Sequence, residues 1–232
     1  MKLKIKYLIR WAKDLLTGVY FQFGLKPMPV MPLHWEYETS ITLPILPSPF
    51  KQGKLQNLKI AIDNINKRVL YPGKIFCFWY EIGNPTKKKG YMEGRVIRNG
   101  NLTSEVAGGL CQLSGITYYL ALEVGLKILE RFPHTRDLYT EESRFTPLGT
   151  DASVVYPTKD LRIKNSLPYP LLFSWELTED SLTFQIKSPE QVHRSQLVFQ
   201  QIQKNRCSNV LVFRKSEVDG ELKLCSSDDY QL

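Results

Sequence analysis

Hydrophobic positions along this chain recur with periods that predict its elements. Leu55, Leu58, Ile62, Ile65 and Val69 repeat at steps of three and four, which predicts one apolar helical stripe over residues 54–70. Tyr71-Pro72-Gly73 ends it. Residues 75–79 read as a short aromatic-rich strand. Residues 90–102 read as extended, with Asn99-Gly100 as a turn signal. A second helical pattern, Leu113, Ile116, Leu120 and Val124, starts at Cys111-Gln112 and stops at Gly125, where glycine accommodates a left-handed cap. Leu126, Ile128 and Glu130 then alternate with Lys127, Leu129 and Arg131 as in a strand. Further strands are predicted over 152–156, 161–164, 171–177 and 181–187, and near 196–203 and 209–215. Helices come first and antiparallel strands follow. The class is α+β, an antiparallel sheet with helices packed on one side.

The predicted organisation has three parts. Residues 1–50 form a basic helical arm and a connection rich in proline: Pro27, Pro29, Pro32, Pro44, Pro47 and Pro49 exclude long helices and leave room for one short strand over 38–43. Residues 51–187 form the main domain, and residues 188–232 a β-rich extension packed on it. In the arm, Lys2, Lys4, Lys6, Arg10, Lys13 and Lys26 interrupt every apolar run before it reaches the ~20 residues of a membrane span. No signal-peptide pattern is visible, so a cytoplasmic location is expected, with a peripheral membrane position as the variant of it. Residues 7–16 fit two readings: a helix docked on the protein's own core, or a basic amphipathic helix on an anionic membrane surface.

The 232 residues suffice for one well-buried core and at most two. A net charge of +8 favours anionic partners without choosing among them. No helix-turn-helix, zinc-finger or RNA-binding motif is present, so no specific nucleic-acid partner is expected. Lys87-Lys88-Lys89, between Pro85 and Gly90, reads as a solvated turn. Cys77, Cys111, Cys207 and Cys225 form no CxxC pair, which argues against a structural zinc site. No cofactor is implied.

One cysteine stands in a chemically distinctive context. Cys111 follows Gly108-Gly109 at the head of a predicted helix. Glycines allow close approach of a ligand, and a helix N-terminus stabilises a thiolate. Backbone N–H groups there, or the side chains of Gln112 and Ser114, are candidate donors to an oxyanion. A nucleophile of this kind needs a base. His134 would lie ~35 Å away on one continuous helix. A break at Gly125 changes this: ~20 Å of helix out and up to ~30 Å of strand back return it to the level of Cys111. Cysteine at a helix head followed by histidine on a strand resembles the order in papain-like and transglutaminase-like thiol enzymes. Asp151 is the first candidate to orient the imidazole and Asp160 the second, although an acid in Gly149-Thr150-Asp151-Ala152 also suits a turn. Arg131 is a candidate two-pronged ligand for a substrate carboxylate. Cys77, in Phe76-Cys77-Phe78-Trp79, reads as core. A metal site built from Cys111, His134 and a carboxylate is the alternative use of the same residues.

These residues carry a family resemblance. Tyr71-Pro72-Gly73-Lys74-Ile75-Phe76-Cys77-Phe78, Ile82-Gly83, Gly90-Tyr91, Gly108-Gly109-Leu110-Cys111-Gln112-Leu113-Ser114, Gly125-Leu126, Glu130-Arg131, His134, Gly149-Thr150-Asp151-Ala152, Asp160-Leu161-Arg162 and Asn165 together resemble the VanW domain. The likeness runs from about residue 50 to 187, and Ala107 stands where the family usually has the first of three glycines. It implies an L,D-transpeptidase-like acyl transfer on a peptide or peptidoglycan precursor, with Cys111 as nucleophile and His134 and Asp151 at matching positions. Gly108, Gly109, Gln112, Ser114 and Arg131 would line the substrate site. A non-catalytic module that binds a cell-wall or peptide ligand in the same pocket is the second expectation. A basic membrane-associated protein is the third.

Overall fold

A computed structural model describes residues 2–29, 34–98, 101–136, 144, 146–204, 207–216 and 219–231. Among these the architecture is α+β, with four α-helices and thirteen strands.

Helix α1 (Lys2–Leu16) precedes two strands, β1 (Lys26–Pro27) and β2 (Tyr37–Pro44). Helix α2 (Lys51–Ile65) buries Leu58, Ala61, Ile62 and Ile65 as its apolar stripe requires. It stops before residue 70 because Asn66 closes the turn. Its Oδ1 accepts the Lys67 N–H at 2.9 Å and the Trp175 N–H at 2.8 Å. Such local side-chain-to-backbone bonds compete with helix. The chain reverses through Lys67, at φ 53°, into β3 (Arg68–Leu70), so Val69 keeps its burial but changes element.

Strand β4 (Ile75–Cys77) is likewise cut short and gives way to helix α3 (Phe78–Ile82). The Asp160 carboxylate accepts the Trp79 N–H at 3.1 Å and holds the start of that turn. Lys87–Lys89 form one turn of 3-10 helix with exposed lysines. Strands β5 (Glu93–Arg98) and β6 (Asn101–Val106) make a hairpin; the turn expected at Asn99-Gly100 lies outside the described residues. Helix α4 (Leu110–Glu123) and strand β7 (Lys127–Glu130) follow, then β8 (Arg162–Lys164), β9 (Leu171–Leu177) and β10 (Ser181–Ser188). Strands β11 (Leu197–Lys204), β12 (Cys207–Lys215) and β13 (Leu222–Gln231) end the fold.

The sheets are antiparallel. The largest has the order β1-β3-β9-β10-β2, so residues before position 51 supply both of its outer strands. Helices α2 and α4 pack on it and on each other, and Trp175 Nε1 of β9 donates to Thr117 Oγ1 of α4 at 3.1 Å. Burying Leu113, Ile116 and Leu120 of α4 stabilises the fold by about 2 kcal/mol each. A second sheet, β4-β8-β7, is tied to α1 through Arg162 and Glu130, and a third has the order β11-β12-β13.

One predicted strand is absent and one strand was missed. Residues 152–156 are not a strand: apart from one bridge between Val155 and Lys159, their backbone bonds to other elements. Strand β13 was not foreseen, because its sequence is polar and only Asp228 and Tyr230 of it are buried.

Candidate active site

The Cys111 site begins at the turn before α4. Asn57, fully buried in α2, donates through Nδ2 to the carbonyls of Met92 (3.0 Å) and Gly108 (2.9 Å), and its Oδ1 accepts the Met92 N–H at 2.7 Å. Three bonds from one amide tie the start of the hairpin to the glycine turn. Gly108 meets β5 back to back: a Cβ there would sit 2.2 Å from the Gly94 carbonyl carbon. Gly109, at φ 98°, is the N-cap of α4. Both glycines therefore place the turn, and Cys111 falls in the first turn of a fourteen-residue helix.

Beyond α4 the chain doubles back. Gly125 is left-handed at φ 75°, and the Leu126 N–H reaches the Ala121 carbonyl at 2.9 Å while Gly125 N–H reaches Leu122 at 3.1 Å. This is a Schellman ending, which redirects the backbone sharply. Strand β7 then runs back and leads to His134. The imidazole lies beside the Cys111 thiol, close enough for each group to shift the titration of the other. On its other side Nδ1 is 2.6 Å from Asp151 Oδ2, which also accepts the His134 backbone N–H at 2.6 Å. Nδ1 being committed to Asp151, Nε2 is the nitrogen available to the sulfur. Asp151 thus holds His134 at two points, the ring and the backbone.

The titrations follow from this geometry. Burial pushes the half-buried Cys111 thiol up, but hydrogen bonding and charge from His134 push it down further, and the net value lies below the ordinary thiol 9.0. For His134, burial lowers the value while bonds to Asp151 and Cys111 raise it more, to about 10. Burial raises Asp151, but His134 and Arg131 outweigh it and bring the carboxyl to about 2. The arrangement shifts the pair toward thiolate beside imidazolium, the reactive form of a nucleophilic cysteine.

The other candidates play different parts. The Arg131 guanidinium is consumed by protein partners. Nε donates to the Asp151 carbonyl at 2.6 Å, Nη2 to Asp151 Oδ1 at 2.9 Å, and Nη1 pairs with Asp228 Oδ2. It also lies over the Tyr118 ring, 4.8 Å from its centroid. Ser114, fully buried, donates to the Ala152 carbonyl at 2.7 Å and fastens the irregular 150–155 segment to α4. Cys111 Sγ itself lies 3.8 Å from the Val154 carbonyl of that segment. Gln112 Nε2 donates to the Pro44 carbonyl at 2.8 Å, and its backbone N–H closes onto Gly109 at 3.0 Å. These residues brace the site: the side-chain donors of Ser114 and Gln112 point at protein carbonyls, and those of Arg131 at a carbonyl and two carboxylates. Asp160 belongs elsewhere, bonded to the Cys77 thiol at 3.1 Å and to Arg162 at 3.4 Å. Asp151 sits on the far nitrogen of His134, so cysteine, histidine and carboxylate do not converge on one point. Among the described residues no cluster of three or more His, Cys, Asp or Glu side chains could hold a metal ion.

Three participants escaped the sequence reading. Asn57 left a signal, a polar residue on the inward face of an apolar helix. Asp228 and Tyr230 left none, because they arrive from β13, nearly a hundred residues away. Tyr230, fully buried, donates to Asp151 Oδ1 at 2.5 Å.

The fold and site define an α+β protein with a cysteine, histidine and aspartate in line at a helix head. By its match to the family described as VanW like protein, over residues 53–187 and so over more than half its length, the chain belongs to the VanW family. It is 30% identical over 116 residues to the Vancomycin B-type resistance protein VanW of Enterococcus faecalis (strain ATCC 700802 / V583), a match covering 50% of this chain and 42% of that protein. It is 31% identical over 121 residues to a Bacillus subtilis (strain 168) protein named Uncharacterized protein YoaR, covering 52% and 38%. The match thus spans about two-fifths of each curated relative. No solved structure matches the chain. No described helix is long and apolar enough to cross a membrane. Asp228 and Tyr230 lie outside the family match, so part of the site's bracing comes from the C-terminal sheet.

Proposed function

We propose that this protein is a cysteine-dependent acyl-transferase acting on a peptide or peptidoglycan-type substrate, in the manner of an L,D-transpeptidase. The Cys111 thiolate attacks the acyl carbonyl of the donor. The leaving amine takes the proton held on His134, and a thioester to Cys111 remains. An acceptor amine then attacks the thioester and gives its proton to His134 as the thiolate leaves. Asp151 keeps the imidazole in the tautomer and orientation this requires, and Arg131 keeps Asp151 ionised and in place. The observation that carries the reading is the 2.6 Å pairing of His134 Nδ1 with Asp151 Oδ2, on an imidazole that lowers the thiol of Cys111 at the head of α4. Membership of the VanW family supports the cell-wall setting, because one relative is named for vancomycin resistance.

The test is a search for the thioester. The full chain is mixed with stem-peptide donors, and the mass of the Cys111 peptide is followed with and without an acceptor amine. An adduct that forms on Cys111, disappears with amine and is absent from Cys111→Ala supports acyl transfer. Donor affinity that survives Cys111→Ala, with no adduct in the parent protein, would favour a non-catalytic binding module instead.

A further inference from the structure

Helix α1 is amphipathic in an unexpected sense. The face it turns to the protein is polar and aromatic. Asp14, 8% exposed, makes a two-pronged pair with Arg162 at 2.7 and 2.6 Å. Arg10 reaches Glu130 at 2.5 Å and Asp160 at 3.3 Å. Tyr7 stacks on Tyr156, and Trp11 meets Tyr20 edge-on. The buried Asp14–Arg162 pair and the part-buried Arg10–Glu130 pair fix the helix to the β4-β8-β7 sheet.

The opposite face is apolar. At 100° per residue Ile5, Leu8, Ile9, Ala12 and Leu16 fall within an arc of about 100°. Ile5, Leu8, Ile9 and Leu16 are exposed, Ile9 at 64% and Leu16 at 87%. Exposed Lys6 and Lys13 flank this stripe on one side and Lys4 on the other. Asp14 is the single acid in α1, and it is spent on Arg162. A rigid apolar stripe edged by lysines, with no acid facing out, leaves its hydrophobic surface in water at a cost that an occupant would remove.

We infer that the outward face of α1 is a docking surface for an anionic lipid bilayer, on which the helix lies in the plane of the headgroups. Ile5, Leu8, Ile9 and Leu16 enter the acyl boundary, and Lys4, Lys6 and Lys13 meet lipid phosphates. A second copy of the chain suits this face poorly, because pairing two stripes would set lysines against lysines. Since α1 is clamped to the sheet whose strand β7 leads to His134, docking would hold the Cys111 site at a set orientation to the membrane. The inference is independent of the acyl-transfer reading.

The test is co-sedimentation of the full chain with phosphatidylcholine vesicles that contain or lack about a third phosphatidylglycerol. Binding is expected to the anionic vesicles, weakening as salt rises. Neutralising Lys6 or Lys13 should lower partitioning roughly fivefold each. Leu8→Gln with Ile9→Gln should lower it by tenfold or more. These residues face solvent, so thermal melts of the variants should match the parent; if the double variant melts early, the lysine variants carry the test. No preference for anionic vesicles would overturn the inference. So would binding that survives both sets of changes, or a stripe-dependent dimer in the absence of lipid.

Discussion

Two of the four cysteines sit beside a carboxylate-bearing network, and the outcomes are opposite. Cys77, on β4, is 2% exposed and donates a hydrogen bond to Asp160 Oδ2 at 3.1 Å. Burial first, and then the negative charge of Asp160, push its thiol well above the ordinary value. Cys111 is half-buried, and its immediate neighbour is the imidazole, with the carboxylate one group further off. That inserted histidine reverses the sign: Cys111 titrates below the ordinary value although burial opposes it. A carboxylate in direct contact protects a thiol; a carboxylate acting through histidine activates one.

Removing the imidazole should do most to abolish the difference. His134→Ala is expected to slow alkylation of Cys111 at pH 7 by roughly ten- to a hundredfold, the loss expected when a thiolate becomes an ordinary thiol. Cys77 should be unaffected. Peptide-resolved mass spectrometry after brief labelling reads both sites at once.

Asp151→Asn should weaken the same contrast less in reactivity and more in stability. Cys111 labelling should fall about tenfold as the imidazolium loses its partner. Arg131 would lose one of two carboxylates, and a cost of about 3 kcal/mol in urea denaturation is expected. The pH dependence gives the sign. His134 is raised from 6.5 to about 10, so its contribution is full below pH 6.5 and fades as pH rises through 10. Asp151 is lowered from 3.8 to about 2, so its contribution is full above pH 3.8 and fades as pH falls through 2. The stability gap between parent and Asp151→Asn should therefore be widest between those limits, near pH 4–6.5, and narrow on either side.

A subtler probe is Tyr230→Phe, which removes the hydrogen bond to Asp151 and a longer one accepted from Arg131 at 3.3 Å, and nothing from the sulfur. It should cost about 1 kcal/mol of stability and slow Cys111 labelling a few-fold. Smallest is Ala107→Gly. Ala107 holds φ 68° just before the Gly108-Gly109 turn, where a side chain is strained. The glycine variant should gain about 0.5–1 kcal/mol in thermal melts and leave both cysteines unchanged.

The legible parts of this protein were those written locally. Helix α4, its head at Cys111 and its Gly125 ending could be read from spacing, because one glycine and one apolar period determine them. The return of the chain to His134 followed from lengths alone. What resisted reading depends on distant partners. Asn66 ends α2 partly by capturing Trp175, over a hundred residues later. Residues 152–156 alternate like a strand but spend their backbone on Phe132, Cys111 and Ser114. Arg131, which resembled a substrate ligand, is consumed by Asp151 and Asp228, and Asp228 lies on a strand with no apolar period to announce it.

The most direct test of this contrast is the pH profile of labelling at each cysteine of the full chain. Cys111 should react ahead of Cys77, Cys207 and Cys225 at neutral pH, with a midpoint below 9.0 that moves up in His134→Ala. A Cys111 that reacts no faster than Cys77, or whose midpoint lies at or above 9.0 with His134 intact, would contradict it.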